Sequence, residues 1–312
     1  MNILISDKSS PRCAEILRQA GHQVDEKNGL SPDELKNIIG EYHGLIIRSA
    51  TRVTAELLQA AGNLKVVGRA GTGVDNVDLA AASAAGVVVM NTPGGNSNAV
   101  AEMVLGHMLM LARHLARANQ SLKEKKWEKK LLKGSEIEGK TLGLMGYGRV
   151  SRLLAKKAKA LGMEVFCFDP KLAKNFTDEE GLAVCASEID VLTRADYLSI
   201  HLTRRTDTLN FISKSRLDRM KKGAYLINCA RGGIVDETAL LESLENNHLA
   251  GAALDVFENE PPLDFRLVQH ERVVCTPHIA ASTVEAQEKV AVMVAEQFID
   301  FFAGKTVRNQ VN

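Results

Sequence analysis

The sequence predicts an α/β fold in two lobes, each built around a parallel sheet. Short apolar runs typical of strands alternate with helical patterns along most of the chain, an order that indicates βαβ units. A turn-rich segment at 91–96 interrupts the first series and marks a crossing between domains. A second alternating series begins at Thr141, so two lobes explain the pattern better than one.

The individual elements follow from the spacing of apolar residues. Strands are expected at 2–6, 44–47, 65–67, 87–90, 141–145, 164–168, 197–202, 224–229, 251–254 and 273–276. Helices are expected at 11–20, 55–61, 98–120, 149–161, 237–246 and 283–303. Asp236 is the expected N-cap of the helix at 237–246, and Gly304 is the expected stop of the last helix.

Composition and charge exclude several classes of function. The 312 residues carry 39 Lys and Arg against 38 Asp and Glu, a net charge of +1. This balance gives no reason to expect nucleic acid or an anionic membrane as a partner. The five cysteines form no CxxC pair, so neither a disulfide framework nor a metal site is indicated. Without a long apolar run or a signal-peptide pattern, the expected location is the cytoplasm.

A glycine motif indicates a dinucleotide site. Gly146 and Gly148 form GxGxx followed by Ser151, between a predicted strand and a predicted helix. The first glycine allows a tight turn, the second lets backbone approach a pyrophosphate, and the helix N-terminus supplies free N–H groups. Asp169 ends the next strand, 23 positions after Gly146, where an acid binds the ribose hydroxyls and favours NAD over NADP.

The alternative is a βα turn with incidental glycines. The strand, the helix and the acid all stand where the fingerprint requires them, which favours the dinucleotide site. Ser151 replaces the third glycine, whose role is close packing of helix and strand. Because serine is small, a slight shift of the helix is expected, not loss of the site.

Three residues that could carry chemistry each follow a predicted strand. They are Arg231, Glu260 and His278, and ligands of open parallel sheets bind beyond the carboxyl ends of strands. Each alone could be an ordinary turn arginine, loop acid or structural histidine. Together, beside a dinucleotide site, they match what oxidation of a hydroxy acid needs: a base, a group that tunes the base, and a cation for the carboxylate.

Six motifs make the whole chain similar to a known family. They are 45–54 (LIIRSATRVT), 68–76 (GRAGTGVDN), 91–93 (NTP), 228–237 (NCARGGIVDE), 252–257 (AALDVF) and 277–278 (PH). The chain resembles the D-isomer-specific 2-hydroxyacid dehydrogenases. The first two motifs are more similar to those of a branch of the family whose substrate carries a phosphate group.

The resemblance implies residue roles. His278 would be the general acid/base, Glu260 would hydrogen-bond and orient it, and Arg231 would bind the substrate carboxylate and polarise the C2 oxygen. The cofactor NAD would contact, besides Gly146 and Gly148, a set of residues comprising Thr72, Arg149, Val150, Asp169, Cys229, Ala230, Asp255, His278, Ala280 and Ala281. The substrate would contact Arg48, Ser49, Gly73, Asn96 and Arg231.

The resemblance also implies an architecture. A Rossmann-type doubly wound parallel sheet at 97–284, the NAD-binding domain, would be inserted into a flavodoxin-like substrate lobe made of 1–96 and 285–312, with the active site in the cleft between them. The partners would be a small-molecule substrate and a second copy of the chain, joined partly by the helix at 98–120. Longer members of the branch carry a C-terminal regulatory domain that binds serine. Because this chain stops at Asn312, we expect no such domain and no inhibition by serine.

The sequence leaves the choice of substrate within the family open. Arg48 leaves a predicted strand end, and its forked donors suit a phosphate better than a methyl or hydroxymethyl group. The alternative is a surface arginine that binds nothing. Hydroxypyruvate, glyoxylate and D-lactate are alternative substrates, and a non-enzymatic NAD-binding scaffold is the competing class.

Overall fold

The computed structural model describes residues 1–172, 177, 181, 183–184 and 187–312; Cys185 lies outside the described residues. The chain forms two compact units. Unit 1 comprises Met1–Ser97 and Ala281–Asn312, and unit 2 comprises Asn98–Ala280.

The described strands are, in chain order, β1 Asn2–Ile5, β2 Gln23–Glu26, β3 Gly44–Ile47, β4 Val66–Arg69, β5 Val88–Asn91, β6 Thr141–Met145, β7 Glu164–Phe168, β8 Ala183–Val184, β9 Tyr197–Ile200, β10 Tyr225–Asn228, β11 Gly251–Leu254 and β12 Val273–Cys275. The α-helices are α1 Pro11–Gln19, α2 Pro32–Ile38, α3 Ala55–Ala60, α4 Leu79–Ala84, α5 Ser97–Arg113, α6 Leu115–Lys123, α7 Arg149–Ala160, α8 Glu188–Arg194, α9 Lys214–Leu217, α10 Glu237–Glu245 and α11 Val284–Phe302. Two 3₁₀ helices span Ile39–Glu41 and Thr206–Thr208.

Unit 1 is built on a five-stranded parallel sheet in the order β2-β1-β3-β4-β5, which is the flavodoxin-like order. Alternate strand residues face opposite sides, so Leu4 and Leu45 lie in one core and Ile3 and Ile46 in the other. Both faces are covered by helices, as parallel sheets require. A Cβ on Gly68 would lie 2.4 Å from the Phe298 ring of α11, so this glycine lets that helix pack directly on β4.

Unit 2 is built on a parallel sheet whose described strands run β12-β11-β10-β9-β6-β7-β8. Strand β6 pairs with β7 on one side and with β9 on the other, so the chain order reverses there. In open α/β sheets, ligands bind beyond the carboxyl ends of the strands at such a switch point. The segment that follows β6 therefore occupies the position expected of a binding site, and the two parallel sheets confirm the predicted α/β fold class.

The sequence prediction of one helix at 98–120 is wrong. The helix breaks at His114, whose φ of 52° is left-handed, and α5 and α6 meet there at an angle of 64°. Among the described residues no single helix is long and apolar enough to cross a membrane; α5 and α6 together meet that test by length and composition. The short elements β2, α2 and α4 were not predicted from the sequence; β2 and α2 carry few apolar residues.

Candidate active site and dinucleotide site

The turn after β6 needs a glycine at its first position. Gly146 has a φ of +99°, and a Cβ there would lie 2.7 Å from the His201 carbonyl oxygen. Its N–H donates to the Phe168 carbonyl at 2.8 Å, which ties the turn to the end of β7. Any larger residue would be strained and would push the turn away from the neighbouring loop.

The second glycine opens the N-terminus of α7. Gly148 is the N-cap residue, and a Cβ there would meet no atom within 4 Å. Arg149 and Val150 form the first turn of α7, where helix N–H groups have no intrahelical acceptor. A cradle of this kind, with open space above free N–H groups, fits the pyrophosphate of a dinucleotide.

Ser151 is accommodated inside this turn. Its side chain is fully buried, and Oγ donates to the Gly146 carbonyl oxygen at 2.7 Å. The hydroxyl thus has a partner at the place where the fingerprint usually has a third glycine. This bond adds a link between the first helical turn and the glycine turn.

Asp169 follows β7 and is oriented by backbone. Its Oδ2 accepts from the Tyr147 N–H at 3.0 Å, and its Oδ1 accepts from the Lys171 N–H at 3.0 Å. Each carboxylate oxygen has further lone pairs, so the group can also accept from ribose hydroxyls. The glycine turn, the helix N-terminus and this acid together fit NAD.

His278 and Glu260 are hydrogen-bonded. Their Nδ1 and Oε2 atoms lie 2.6 Å apart, and about half of the His278 side chain is exposed. The other Glu260 oxygen accepts from the Phe257 N–H at 3.2 Å, which holds the carboxylate in place. The backbone of His278 has a φ of 52°, an unusual conformation for a residue with a side chain.

The pKa of Glu260 is lowered. Burial alone raises it, but the hydrogen bond and charge of His278, the Phe257 amide and the charge of Arg231 together outweigh burial. Glu260 is therefore an anion at neutral pH and can only accept hydrogen bonds. The proton in the short contact therefore belongs to His278 Nδ1, which leaves Nε2 as the ring nitrogen that can accept or donate a proton.

A glycine brings Arg231 near this pair. A Cβ on Gly232 would lie 1.6 Å from the Phe257 carbonyl oxygen, so only glycine permits this approach of the two loops. Asn228 supports the turn because its Nδ2 donates to the Arg231 carbonyl at 3.0 Å and its Oδ1 accepts from the Ala230 N–H at 3.0 Å. The half-buried Arg231 can offer a cation beside the carboxylate–imidazole pair.

Asp255 is buried and holds the segment that carries His278. Its Oδ1 accepts from the Thr276 hydroxyl at 2.6 Å and from the Ile279 N–H at 2.8 Å, and its Oδ2 accepts from the Ala280 N–H at 2.8 Å. Its carbonyl accepts from the His278 N–H at 2.8 Å. The side chain predicted to contact the cofactor therefore also orders residues 278–280.

Two polar residues next to this segment, His107 and Thr276, were not predicted from the sequence. His107 lies on α5 and is fully buried, with its Nε2 at 3.3 Å from the Thr276 Oγ1 and its Nδ1 at 3.5 Å from the Cys229 Sγ. The only signal in the sequence is one polar residue in the apolar stretch from Met103 to Ala112, which has no motif around it.

Apart from Arg231, the predicted substrate-binding residues belong to unit 1, as does Thr72. The Arg48 N–H donates to Asp7 Oδ2 at 2.6 Å, and its Nη1 donates to the Lys8 carbonyl at 2.9 Å. Thr72 donates to Asn96 at 2.9 Å. Ser49 is exposed and Gly73 is half-buried. The short Thr72–Asn96 contact brings one predicted cofactor residue next to one predicted substrate residue.

Within the described part of the chain, no group of three or more His, Cys, Asp or Glu could hold a metal ion.

The match to a family model identifies the class of this protein. The model described as "D-isomer specific 2-hydroxyacid dehydrogenase, NAD binding domain" matches residues 105–280, more than half of the chain and nearly all of unit 2. The chain belongs to the D-isomer specific 2-hydroxyacid dehydrogenase family, as its motifs suggested, and this region is its NAD-binding domain.

One curated relative and two solved structures show what the chain is similar to within and around this family. The chain is 46% identical to D-3-phosphoglycerate dehydrogenase of Rattus norvegicus over 99% of this chain and 58% of the relative, so it spans little more than half of that protein. The structure is similar to that of TT0316 protein from Thermus thermophilus, with a TM-score of 0.91, 34% identity and full coverage of both chains. An NAD-dependent formate dehydrogenase from Staphylococcus aureus, solved in complex with NAD, has a TM-score of 0.87 and 27% identity, covering 100% of this chain and 99% of that one.

Proposed function

We propose that this chain catalyses the NAD-dependent oxidation of D-3-phosphoglycerate to 3-phosphohydroxypyruvate, the first step of serine biosynthesis. The observation that carries the proposal is the 2.6 Å contact between His278 and Glu260, next to Arg231 in the NAD-binding domain. The likeness to D-3-phosphoglycerate dehydrogenases such as that of Rattus norvegicus supports the choice of substrate.

His278 is the proposed general base. Because Glu260 holds Nδ1, the free Nε2 accepts the proton of the C2 hydroxyl, and the Glu260 carboxylate stabilises the imidazolium that forms. Arg231 binds the substrate carboxylate through a forked hydrogen-bond pair and stabilises negative charge on the C2 oxygen. When bound, NAD accepts the hydride from C2.

The NAD site is proposed at the glycine turn. Gly146, Gly148, Arg149 and Val150 would hold the pyrophosphate, and Asp169 would accept hydrogen bonds from the adenosine ribose. The remaining proposed contacts are Thr72, Cys229, Ala230, Asp255, His278, Ala280 and Ala281. Since Cys229, Asp255 and Ala280 are buried, any contact they make would be through backbone or a small exposed edge.

Arg48 is the proposed ligand of the substrate phosphate, with Ser49, Gly73 and Asn96 as further substrate contacts. One Arg48 nitrogen donates to the Lys8 carbonyl, and a guanidinium has five N–H donors. The N–H groups of Arg48 and Ala50 both donate to the carboxylate of the buried Asp7. This support would hold the arginine in a fixed place, which suits a binding role better than a free surface position.

We also propose that the chain is a cytoplasmic homodimer. Large apolar side chains are exposed along α5, α6 and the segment after them, at Leu109, Leu115, Leu122, Trp127 and Leu131, and such a concentration marks a protein contact surface. The four described cysteines are free thiols, as is typical in a reducing compartment. Light scattering at micromolar concentration tests the dimer, and a monomeric mass would contradict it.

An initial-rate screen tests the activity. The protein is assayed with NAD and D-3-phosphoglycerate, and with NADH and hydroxypyruvate, glyoxylate or pyruvate. We expect the highest kcat/KM with the phosphorylated acid. A preference for an unphosphorylated acid would overturn the substrate but keep the reaction class. Binding of NADH without turnover of any acid would overturn the enzymatic proposal in favour of a scaffold.

A further inference from the structure

His107 is a buried histidine in which both ring nitrogens have a side-chain neighbour. It lies on α5 among apolar residues, with no exposed surface. On one side is the thiol of Cys229, at the end of β10, and on the other is the hydroxyl of Thr276, after β12. The buried imidazole therefore links α5 to the ends of two strands. An apolar side chain would fill the same core position without these polar contacts.

The directions of these hydrogen bonds follow from the groups at the two ends. The Thr276 hydroxyl donates to Asp255 Oδ1 at 2.6 Å, so Thr276 can only accept from His107. His107 therefore carries its hydrogen on Nε2 and accepts on Nδ1 from the Cys229 thiol. Burial raises the pKa of Cys229, so the thiol keeps its hydrogen. Burial also lowers the pKa of His107, against a smaller opposite effect of Asp255, which keeps the imidazole neutral.

The chain of hydrogen bonds ends at the segment that carries His278. One carboxylate oxygen of Asp255 accepts hydrogen bonds from the Thr276 hydroxyl and the Ile279 N–H, and the other accepts from the Ala280 N–H. These bonds hold the residues immediately after His278, whose own φ is 52°. Since a left-handed residue with a side chain persists only where its surroundings hold it, the orientation of the His278 ring depends on this clamp.

We propose that His107 is a positioning residue: through Thr276 and Asp255 it holds the 278–280 backbone in the conformation that aims His278. Its hydrogen-bond neighbours are Cys229 and Thr276, not His278 or Glu260, and it moves no proton in the reaction. Its effect on catalysis rests on the proposed function, whereas its effect on the 278–280 backbone does not.

Three variants separate positioning from general stability. His107→Leu removes both polar contacts, His107→Gln keeps an amide N–H for Thr276, and Met108→Ala opens a cavity at the next position of α5, where Met108 is fully buried. Melting temperature, kcat, KM for NAD, and hydrogen exchange of the Ile279 and Ala280 amides are measured for each. Mass spectrometry of a peptide covering 276–283 reports the exchange.

We expect His107→Leu to speed exchange of the 279–280 amides and to lower kcat about tenfold, since small misplacements of catalytic groups have effects of this size or larger. KM for NAD should stay within about twofold, a range that corresponds to less than 0.5 kcal/mol. His107→Gln should restore both quantities to near wild type. Met108→Ala should lower the melting temperature without changing the exchange of 279–280. In a Thr276→Val background, His107→Leu should have little further effect.

Unchanged 279–280 exchange in His107→Leu, or equal acceleration in Met108→Ala, would overturn the proposal. An inactive wild type would overturn the proposed function instead, and the exchange measurement would still decide the role of His107.

Discussion

Glu260 and His278 stand 18 positions apart in the chain, yet Oε2 of one lies 2.6 Å from Nδ1 of the other. Two separate anchors create this contact. The Phe257 amide holds the other Glu260 oxygen, and the Asp255 carbonyl accepts the His278 N–H. Both anchors belong to the segment that leaves β11, so one strand end positions both members of the pair.

The contribution of Glu260 to stability should depend on pH. Its pKa lies below the usual value of 4.5 in the folded protein, so the ionised form stabilises the fold above about pH 4.5. This stabilisation is lost as the pH falls through the lower folded pKa. Glu260→Gln should therefore melt at a lower temperature than wild type at pH 7, and the difference should shrink toward pH 3. Calorimetry of both proteins across this range measures the difference in melting temperature, and a difference that does not change with pH would contradict a role of the ionised carboxylate.

Replacing His278 should abolish most turnover with little effect on NAD binding, because the proposed pyrophosphate and ribose contacts lie at the glycine turn and Asp169. Asparagine is the suitable substitute because it tolerates the left-handed backbone of this position. His278→Asn should lower kcat by ~10²–10⁴-fold, while the affinity for NADH, measured by fluorescence titration, stays near wild type. His114→Asn is the matched control, since His114 has the same φ of 52° and lies outside the site. If His278→Asn keeps its turnover, another residue is the base.

Gly232→Ala should damage the site through sterics alone. Its new Cβ would lie 1.6 Å from the Phe257 carbonyl oxygen, so the two loops must separate. We expect the free energy of unfolding to fall by about 1–3 kcal/mol or more, and kcat to fall as well. Gly106→Ala, where a Cβ meets nothing within 4 Å, should instead be neutral or stabilising in the helix. Denaturant unfolding and initial rates measure both, and an unaffected Gly232→Ala would contradict the close approach.

Asp169 should set the choice between NAD and NADP. Replacing Asp169 by alanine removes the hydrogen bonds to the ribose of NAD and also removes the repulsion of the 2′-phosphate of NADP. Asp169→Ala should reduce the NAD-to-NADP ratio of kcat/KM by roughly tenfold or more, the effect of losing about 1.5 kcal/mol of charge-assisted hydrogen bonding. Asp218→Ala, which removes an exposed acid paired with Lys214, should leave the ratio unchanged. An unaltered ratio in Asp169→Ala would put the residue outside the ribose site.

Arg48 should matter only for a phosphorylated substrate. Arg48→Ala should lower kcat/KM for D-3-phosphoglycerate roughly 10- to 150-fold, corresponding to about 1.5–3 kcal/mol of charge-assisted hydrogen bonds. Activity toward hydroxypyruvate should barely change. Arg52→Ala, an exposed arginine of the same segment, is the control and should affect neither substrate. Equal losses on both substrates in Arg48→Ala would mean that Arg48 only supports the local structure.

Much of the fold was predictable because its signals are local. The strands β3, β6, β7 and β11 lie where apolar runs predicted them, and the N-cap Asp236 accepts from the Ala239 N–H as expected. The break at His114 was not predictable, since the apolar spacing continues through it and a histidine carries no helix-breaking signal. The short β2, with only one buried residue, likewise had too little apolar pattern to detect.

The sequence by itself determined the α/β class, the glycine turn and its acid, and the residue types that can oxidise a hydroxy acid, because these depend on local spacing and on side-chain chemistry. Only the tertiary structure decided which atoms meet: that Glu260, with a lowered pKa, contacts Nδ1 of His278, that Gly232 lies against the Phe257 carbonyl, and that a buried His107 is linked through Thr276 to Asp255. These contacts join strand ends far apart in the chain. Their distances and burial arise when the sheet forms, and no local pattern encodes them.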